Sequence, residues 1–244
     1  MKKRLFGLLV TLIASLAYSQ SDFSVKDFEN AIVEVVGFKK TKLNKNFIWK
    51  KGRSSALTEK GTPAGKYEIN NLHDGESSTA WVEGKTDDGI GEWVIIPVEN
   101  WEENLNYVYE YSYNNIKKFN VVLDVWNGYQ ETLDLYKKNN RVKDAEITIY
   151  AVPYCTSMEG ESELEGAPEI VLQKDVQFSD EIVENPIYIN WSCHEFSFEL
   201  PEEYKTKYYE YEFYVRCKIK SVYKGTKYSD TCISELKAKL VKEL

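Results

Sequence analysis

Residues 119–128 read FNVVLDVWNG, and this stretch decides the fold class. Phe119 to Trp126 is rich in β-branched and aromatic residues, which suit a pleated, half-buried surface. Asn127-Gly128 then closes the run with a dipeptide that favours a tight turn. Working outward, residues 145–152 (AEITIYAV) alternate apolar with polar and stop at Pro153. Glu92 to Ile96 (EWVII) is a further β-rich run, stopped by Pro97. More strands are expected near 31–38, 169–173, 186–190, 194–200, 208–223 and 231–241. Residues 156–168 (TSMEGESELEGAP) are expected to be an acidic loop without regular structure. Short strands separated by turn signals, with no helix recurring between them, argue for an all-β sandwich over βαβ units.

The chain opens with the layout of a secretory signal peptide. Lys2, Lys3 and Arg4 precede an apolar run from Leu5 to Leu16, and Ala17-Tyr18-Ser19 precedes the polar Gln20-Ser21-Asp22. Cleavage is expected after Ser19. The apolar run is shorter than the roughly 20 residues of a spanning helix. The expected product is exported, periplasmic or extracellular, with no membrane span in the mature chain.

The formal charge is −8, and removing the three cations of the signal leaves the mature chain near −11. A surface that acidic repels phosphate backbones, and no basic stripe overrides it, so nucleic acid and anionic membrane are poor partners. Four cysteines remain, Cys155, Cys193, Cys217 and Cys232, an even count that reads as two disulfides in an exported protein. Cys217 and Cys232 flank an expected hairpin, which favours that pair together with Cys155–Cys193. Some of the four could equally be free and buried. Only His73 and His194 are present, no cysteines are closely paired, and there is no G-x-S-x-G, P-loop or H-E-x-x-H motif. Zinc, nucleophilic and phosphoryl chemistry therefore have no support, and no enzyme activity is expected.

Several phrases exceed what strand periodicity explains. In order they are NLHDG (71–75), STAWVEG (78–84), GIGEW (89–93), NGY (127–129), YKKNNRVK (136–143) and VYKGTKYSDTCISE (222–235). Together they resemble the bacterial NADase-type glycan-binding domain, within the discoidin-like, galactose-binding-like superfamily. The resemblance covers roughly 54–240. It implies a jelly-roll β-sandwich with ligand-binding loops at one end, and a glycan as ligand. Two departures are an insertion at about 97–116 and an N-terminal extension, 20–53. The organisation expected is a signal peptide (1–19), that extension, and a binding sandwich at 54–244.

The resemblance also implies that a DG…T-W loop and a C-terminal Glu enclose a structural cation, here Asp74, Thr79 and Glu235. Calcium suits hard oxygen donors of this kind, although no cofactor is required for binding. The competing reading has Asp74 capping its own turn, with Gly75 at positive φ. Glu83, Glu92, Asn127, Tyr129, Asn140 and Arg141 are the candidate ligand contacts: carboxylates, amides and a planar guanidinium suit sugar hydroxyls. The same residues could shape turns, with Arg141 pairing to Glu83 or Glu92. Glu83 and Glu92 as a glycosidase pair is a weaker alternative. Tyr223 and Tyr228 are expected at a hairpin tip, as ligand contacts or as cover for the core edge, and Trp81 and Trp93 are expected in the core. The partner is thus a glycan or, in the rival reading, an envelope protein bound by the same loops.

Overall fold

The computed structural model describes residues 52–100, 118–156, 162–164, 169–182, 190–200 and 210–241. The signal peptide, nearly all of the extension, the strand expected at 31–38, most of that at 186–190 and the insertion beyond Asn100 lie outside them. Ten strands are described: β1 (Gly52–Arg53), β2 (Trp81–Val82), β3 (Trp93–Asn100), β4 (Phe119–Asn127), β5 (Asn140–Thr156), β6 (Ser162–Leu164), β7 (Glu169–Gln177), β8 (Ser192–Phe198), β9 (Glu210–Tyr223) and β10 (Thr231–Val241). A 3-10 turn spans Ile69–His73, and one short helix, α1, spans Leu133–Lys138. The fold is all-β.

Strand β4 shows why the sequence folds this way. Its residues alternate strictly between buried and half-buried, placing Phe119, Val121, Leu123 and Val125 on one inward row. β4 lies between β10 and β8, antiparallel to both. β5 lies between β9 and β7, again antiparallel, and β3 continues from β9. The inward rows of β3, β5 and β9 (Ile96, Ile147, Val215) share one apolar cluster with those of β4, β8 and β10 (Leu123, Phe196, Leu236). Phe119 stacks on Phe198 at 5.7 Å and Phe213 tilts against it at 5.1 Å. Each fully buried side chain of this size contributes roughly 1.5–3 kcal/mol.

β10 has neighbours from several parts of the chain. It pairs antiparallel with β2 and β4, and runs parallel beside β3 at Ala238–Leu240 and beside β5 at Thr231–Cys232.

Some expectations need correction. Neither Pro97 nor Pro153 stops its strand: both hold register positions opposite β9, at Tyr214 and Tyr211. β3 continues because Val98 to Asn100 gain β10 as a neighbour. The acidic 156–168 stretch contains β6, paired to the far end of β5. α1, not among the elements expected from the sequence, forms because Thr132 caps it, its Oγ1 accepting from Leu135 N at 3.1 Å, and Tyr136 anchors its buried side. Cys193, Cys217 and Cys232 are free thiols. Cys217 faces the main core from β9, whereas Cys232 packs in a separate cluster with Tyr67, Val82 and Tyr129, so the expected Cys217–Cys232 bond does not form. Cys193 is exposed on β8, and the side chain of Cys155 is outside the described set.

Two predictions follow from this packing. Gly128 has φ of 87°, and a Cβ there would lie 2.6 Å from Arg141 Cγ. Gly128→Ala is expected to cost about 2 kcal/mol or more, a fall in Tm of roughly 4–8 °C by calorimetry; an unchanged Tm would contradict the turn geometry. Burial pushes the Cys217 thiol up to about 12 and the Cys232 thiol well above its usual value. Native maleimide labelling followed by peptide mapping should modify Cys193 and spare Cys217 and Cys232 until the chain is denatured.

Candidate functional site

The six candidate ligand contacts are all buried: Glu83 and Asn127 fully, Asn140, Tyr129, Glu92 and Arg141 at 8% exposure or less. Buried polar groups need internal partners, and the hydrogen bonds found here are internal. Asn127 stitches β4 to β5, its Nδ2 donating to Val142 O (2.7 Å) and its Oδ1 accepting from Val142 N (3.0 Å). Asn140 Nδ2 donates to Asp88 Oδ1 (3.0 Å) and Ser229 O (2.7 Å), while its Oδ1 accepts from Gly225 N (2.7 Å). Glu83 accepts from Lys85 N (2.6 Å) and Thr231 N (3.2 Å), fixing the 84–91 loop to the start of β10. Glu92 accepts from the hydroxyls of Ser54 and Ser55. Tyr129 packs among Tyr67, Ala80, Val82 and Cys232. In the structure these residues are buried and bond to neighbouring strands and loops, forming a framework at this end of the molecule.

Arg141 pairs with neither Glu83 nor Glu92. Its partner is Asp180, 39 residues further along, bound in bidentate fashion at 2.8 Å and 2.9 Å. Arg141 Nη1 also donates to Asn139 O (3.0 Å), and the guanidinium sits 4.9 Å over the Tyr136 ring. Tyr136 donates its hydroxyl to the same Asp180 (2.7 Å) and accepts from Asn190 Nδ2 (2.9 Å). Hydrogen bonds from Arg141 and Tyr136 outweigh burial and hold the Asp180 carboxyl below its ordinary range. The 84–91 loop, α1 and the 224–230 connection meet at this end; that connection is not the expected hairpin, since β5 lies between β9 and β10. Lys224 pairs with Asp88, and Thr226 N donates to Lys137 O (2.9 Å).

Behind Asp180 opens a groove of about 590 Å³, lined among others by Phe178, Asp180, Glu181, Ser192, His194 and Tyr223. Ser192 and His194 stand on the row of β8 that continues inward as Phe196 and Phe198. The His194 ring lies 5.2 Å from that of Phe178, and Tyr223 donates its hydroxyl to Phe178 O (3.2 Å). Ser192 Oγ and His194 Nε2 have no hydrogen-bond partner among the described residues. Burial, then Lys174, lowers His194 from its ordinary value, so the ring is neutral at neutral pH and Nε2 can donate or accept. Of this lining, sequence reasoning singled out only Tyr223 as a ligand contact. The alternation SCHEFSF (192–198) was the available signal: two polar residues on an otherwise aromatic inward row.

The Asp74 loop does come together with the end of the chain. Asp74 accepts from Glu76 N (2.9 Å) and from the Thr79 hydroxyl (2.7 Å), and Gly75 N (φ 75°) donates to Glu235 Oε2 (3.0 Å). Glu235 Oε1 faces Lys237 Nζ at 2.7 Å. Among the described residues no three His, Cys, Asp or Glu side chains cluster as a metal site.

A family model described as "NAD glycohydrolase translocation F5/8 type C domain" matches residues 44–239. No curated protein matches the chain. Among solved structures, single-particle cryo-EM structures of arabinofuranosyltransferase AftD from Mycobacteria are similar over 78% of this chain and 10% of that chain, with 12% identity and a TM-score of 0.36. A mutant form of that enzyme gives 12% identity, 78% and 11% coverage, and a TM-score of 0.35. The chain thus spans about a tenth of that protein's length. No helix among the described residues is long and apolar enough to cross a membrane.

Glu83 gives the framework a pH dependence. Burial pushes its carboxyl up to about 7, against the pull of the two backbone donors. A carboxyl raised on folding contributes stability that is full below about pH 4.5 and is lost as pH rises through about 7. In thermal melts at pH 4.5 and pH 8, Glu83→Gln should show a smaller fall in Tm than wild type, by about 3 °C or more. Equal falls would mean that Glu83 is ionised throughout.

Proposed function

Since the chain belongs to the NAD glycohydrolase translocation F5/8 type C domain family, we propose that it is an exported, non-catalytic carbohydrate-binding module. In this reading its packed strand layers are a jelly-roll sandwich, and the ligand lies in the groove behind Asp180. The observation that carries the proposal is the pair of unpartnered polar atoms, Ser192 Oγ and His194 Nε2, beside the rings of Tyr223 and Phe178. A sugar needs an apolar face under its C–H groups and directional partners at its rim. Tyr223 supplies the face and the exposed Glu181 an acceptor at the rim, while Ser192 Oγ and the neutral His194 Nε2, both buried in the lining, become hydroxyl partners when the lining opens to the ligand. Asp180 is held rigidly by Arg141 and Tyr136, so the rim is set before any ligand arrives.

A second reading rests on Trp191 and Ile182, exposed at 48% and 45% and adjacent in sequence to groove residues. Apolar side chains left in water beside a groove suit an envelope-protein partner.

A glycan array with the mature protein tests the first reading. Selective binding is expected, weakened at least about tenfold in Tyr223→Ala and in His194→Ala, with little change in Tm. Arg141→Ala should instead lower Tm, because it strands Asp180. A silent array with folded protein, together with capture of an envelope protein lost on Trp191→Ala, would overturn the glycan reading in favour of the second.

A further inference from the structure

We propose that the Lys237 ammonium is a built-in replacement for the divalent cation expected at the Asp74 loop, so that the last strand is fastened to that loop without metal. A hard divalent ion wants six to eight oxygen ligands. Here both Asp74 oxygens serve the cap, accepting from Glu76 N and the Thr79 hydroxyl. Glu235 Oε2 accepts from Gly75 N, and the buried Oε1, which takes no hydrogen bond, is left to the charge of Lys237 Nζ at 2.7 Å. The residues do not fit a divalent ion: placed at Glu235 Oε1, it would lie within a few ångströms of an ammonium, where like charges repel strongly.

Lys237 is placed for this role by strand geometry. Residues 235 and 237 of β10 share a face, so the carboxylate and the ammonium meet without any loop rearranging. The Glu235 side chain is 2% exposed and that of Lys237 27%, so the acid is buried and the base reaches it from the surface. Lys237 Nζ lies 3.9 Å from where a Cβ on Gly75 would stand, which puts it against the loop backbone. A buried carboxylate needs a positive partner, and the neighbouring Asp74 increases that need. The inference is independent of what the groove binds.

Melting the wild-type mature protein with EDTA, with millimolar CaCl2 and with neither should give Tm values within about 1 °C of one another. Lys237→Met should lower Tm on the order of 5 °C, while Lys237→Arg should retain most of the stability. The double variant Glu235→Gln, Lys237→Met should lose less than the two single losses added together, because a neutral amide needs no cation. A fall in Tm with EDTA that calcium reverses, or a Lys237→Met protein melting like wild type, overturns the proposal. If Lys237→Met does not fold, the wild-type melts and the arginine variant still decide it.

Discussion

The structure depends on where β10 lies. One strand, the last described, hydrogen-bonds to β2, β4, β3 and β5. Its first six residues, Thr231 to Leu236, are all buried, yet three of them are polar. Each polar group is tied to another part of the chain: Thr231 to Glu83 and Asp88, Ser234 to Gln130, Glu235 to Gly75 and Lys237. A strand so placed cannot pair until the rest of the chain exists, so the fold is dominated by contacts between distant residues. Such topologies form slowly, because loop closure must be achieved before the long-range contacts reward it.

Much of this was legible in the sequence, for a simple reason. β4, β5, β9 and β10 carry apolar residues with a period of two or in dense β-branched runs, and that pattern reflects burial directly. The elements that escaped were those whose stability is tertiary. α1 is six residues long, too short to form alone, and is held by its Thr132 cap and by Tyr136 in the framework. β2 has two residues and exists only as a partner to β10. Pro97 and Pro153 have the right conformation for extended chain, and reading them as stops ignored that neighbouring strands could carry β3 and β5 past them.

The site was less legible because a buried polar residue and a ligand contact have the same chemistry and differ only in their neighbours. Arg141 looked like a ligand fork and is one, but for Asp180, which no local pattern links to it. The phrases that carried the family resemblance are the ones that bond to one another: Gly75 to Glu235, Glu83 to Thr231, Gly128 to Cys232, Asn140 to Gly225. They describe how this end of the molecule is assembled. The groove residues Ser192 and His194 belong to none of these phrases, so a resemblance built on assembly says little about ligand.

The 224–230 loop between β9 and β10 is held at successive residues, with Lys224 on Asp88, Gly225 on Asn140, and the backbones of Thr226, Lys227 and Tyr228 on Lys137 and Lys138. Loops at the ends of β proteins usually sample many conformations, and ordering each backbone residue on binding costs roughly 1–2 kcal/mol. Here that conformational entropy is already lost in folding. A partner meeting this end of the molecule encounters one shape, which favours discrimination among ligands over adaptation to them.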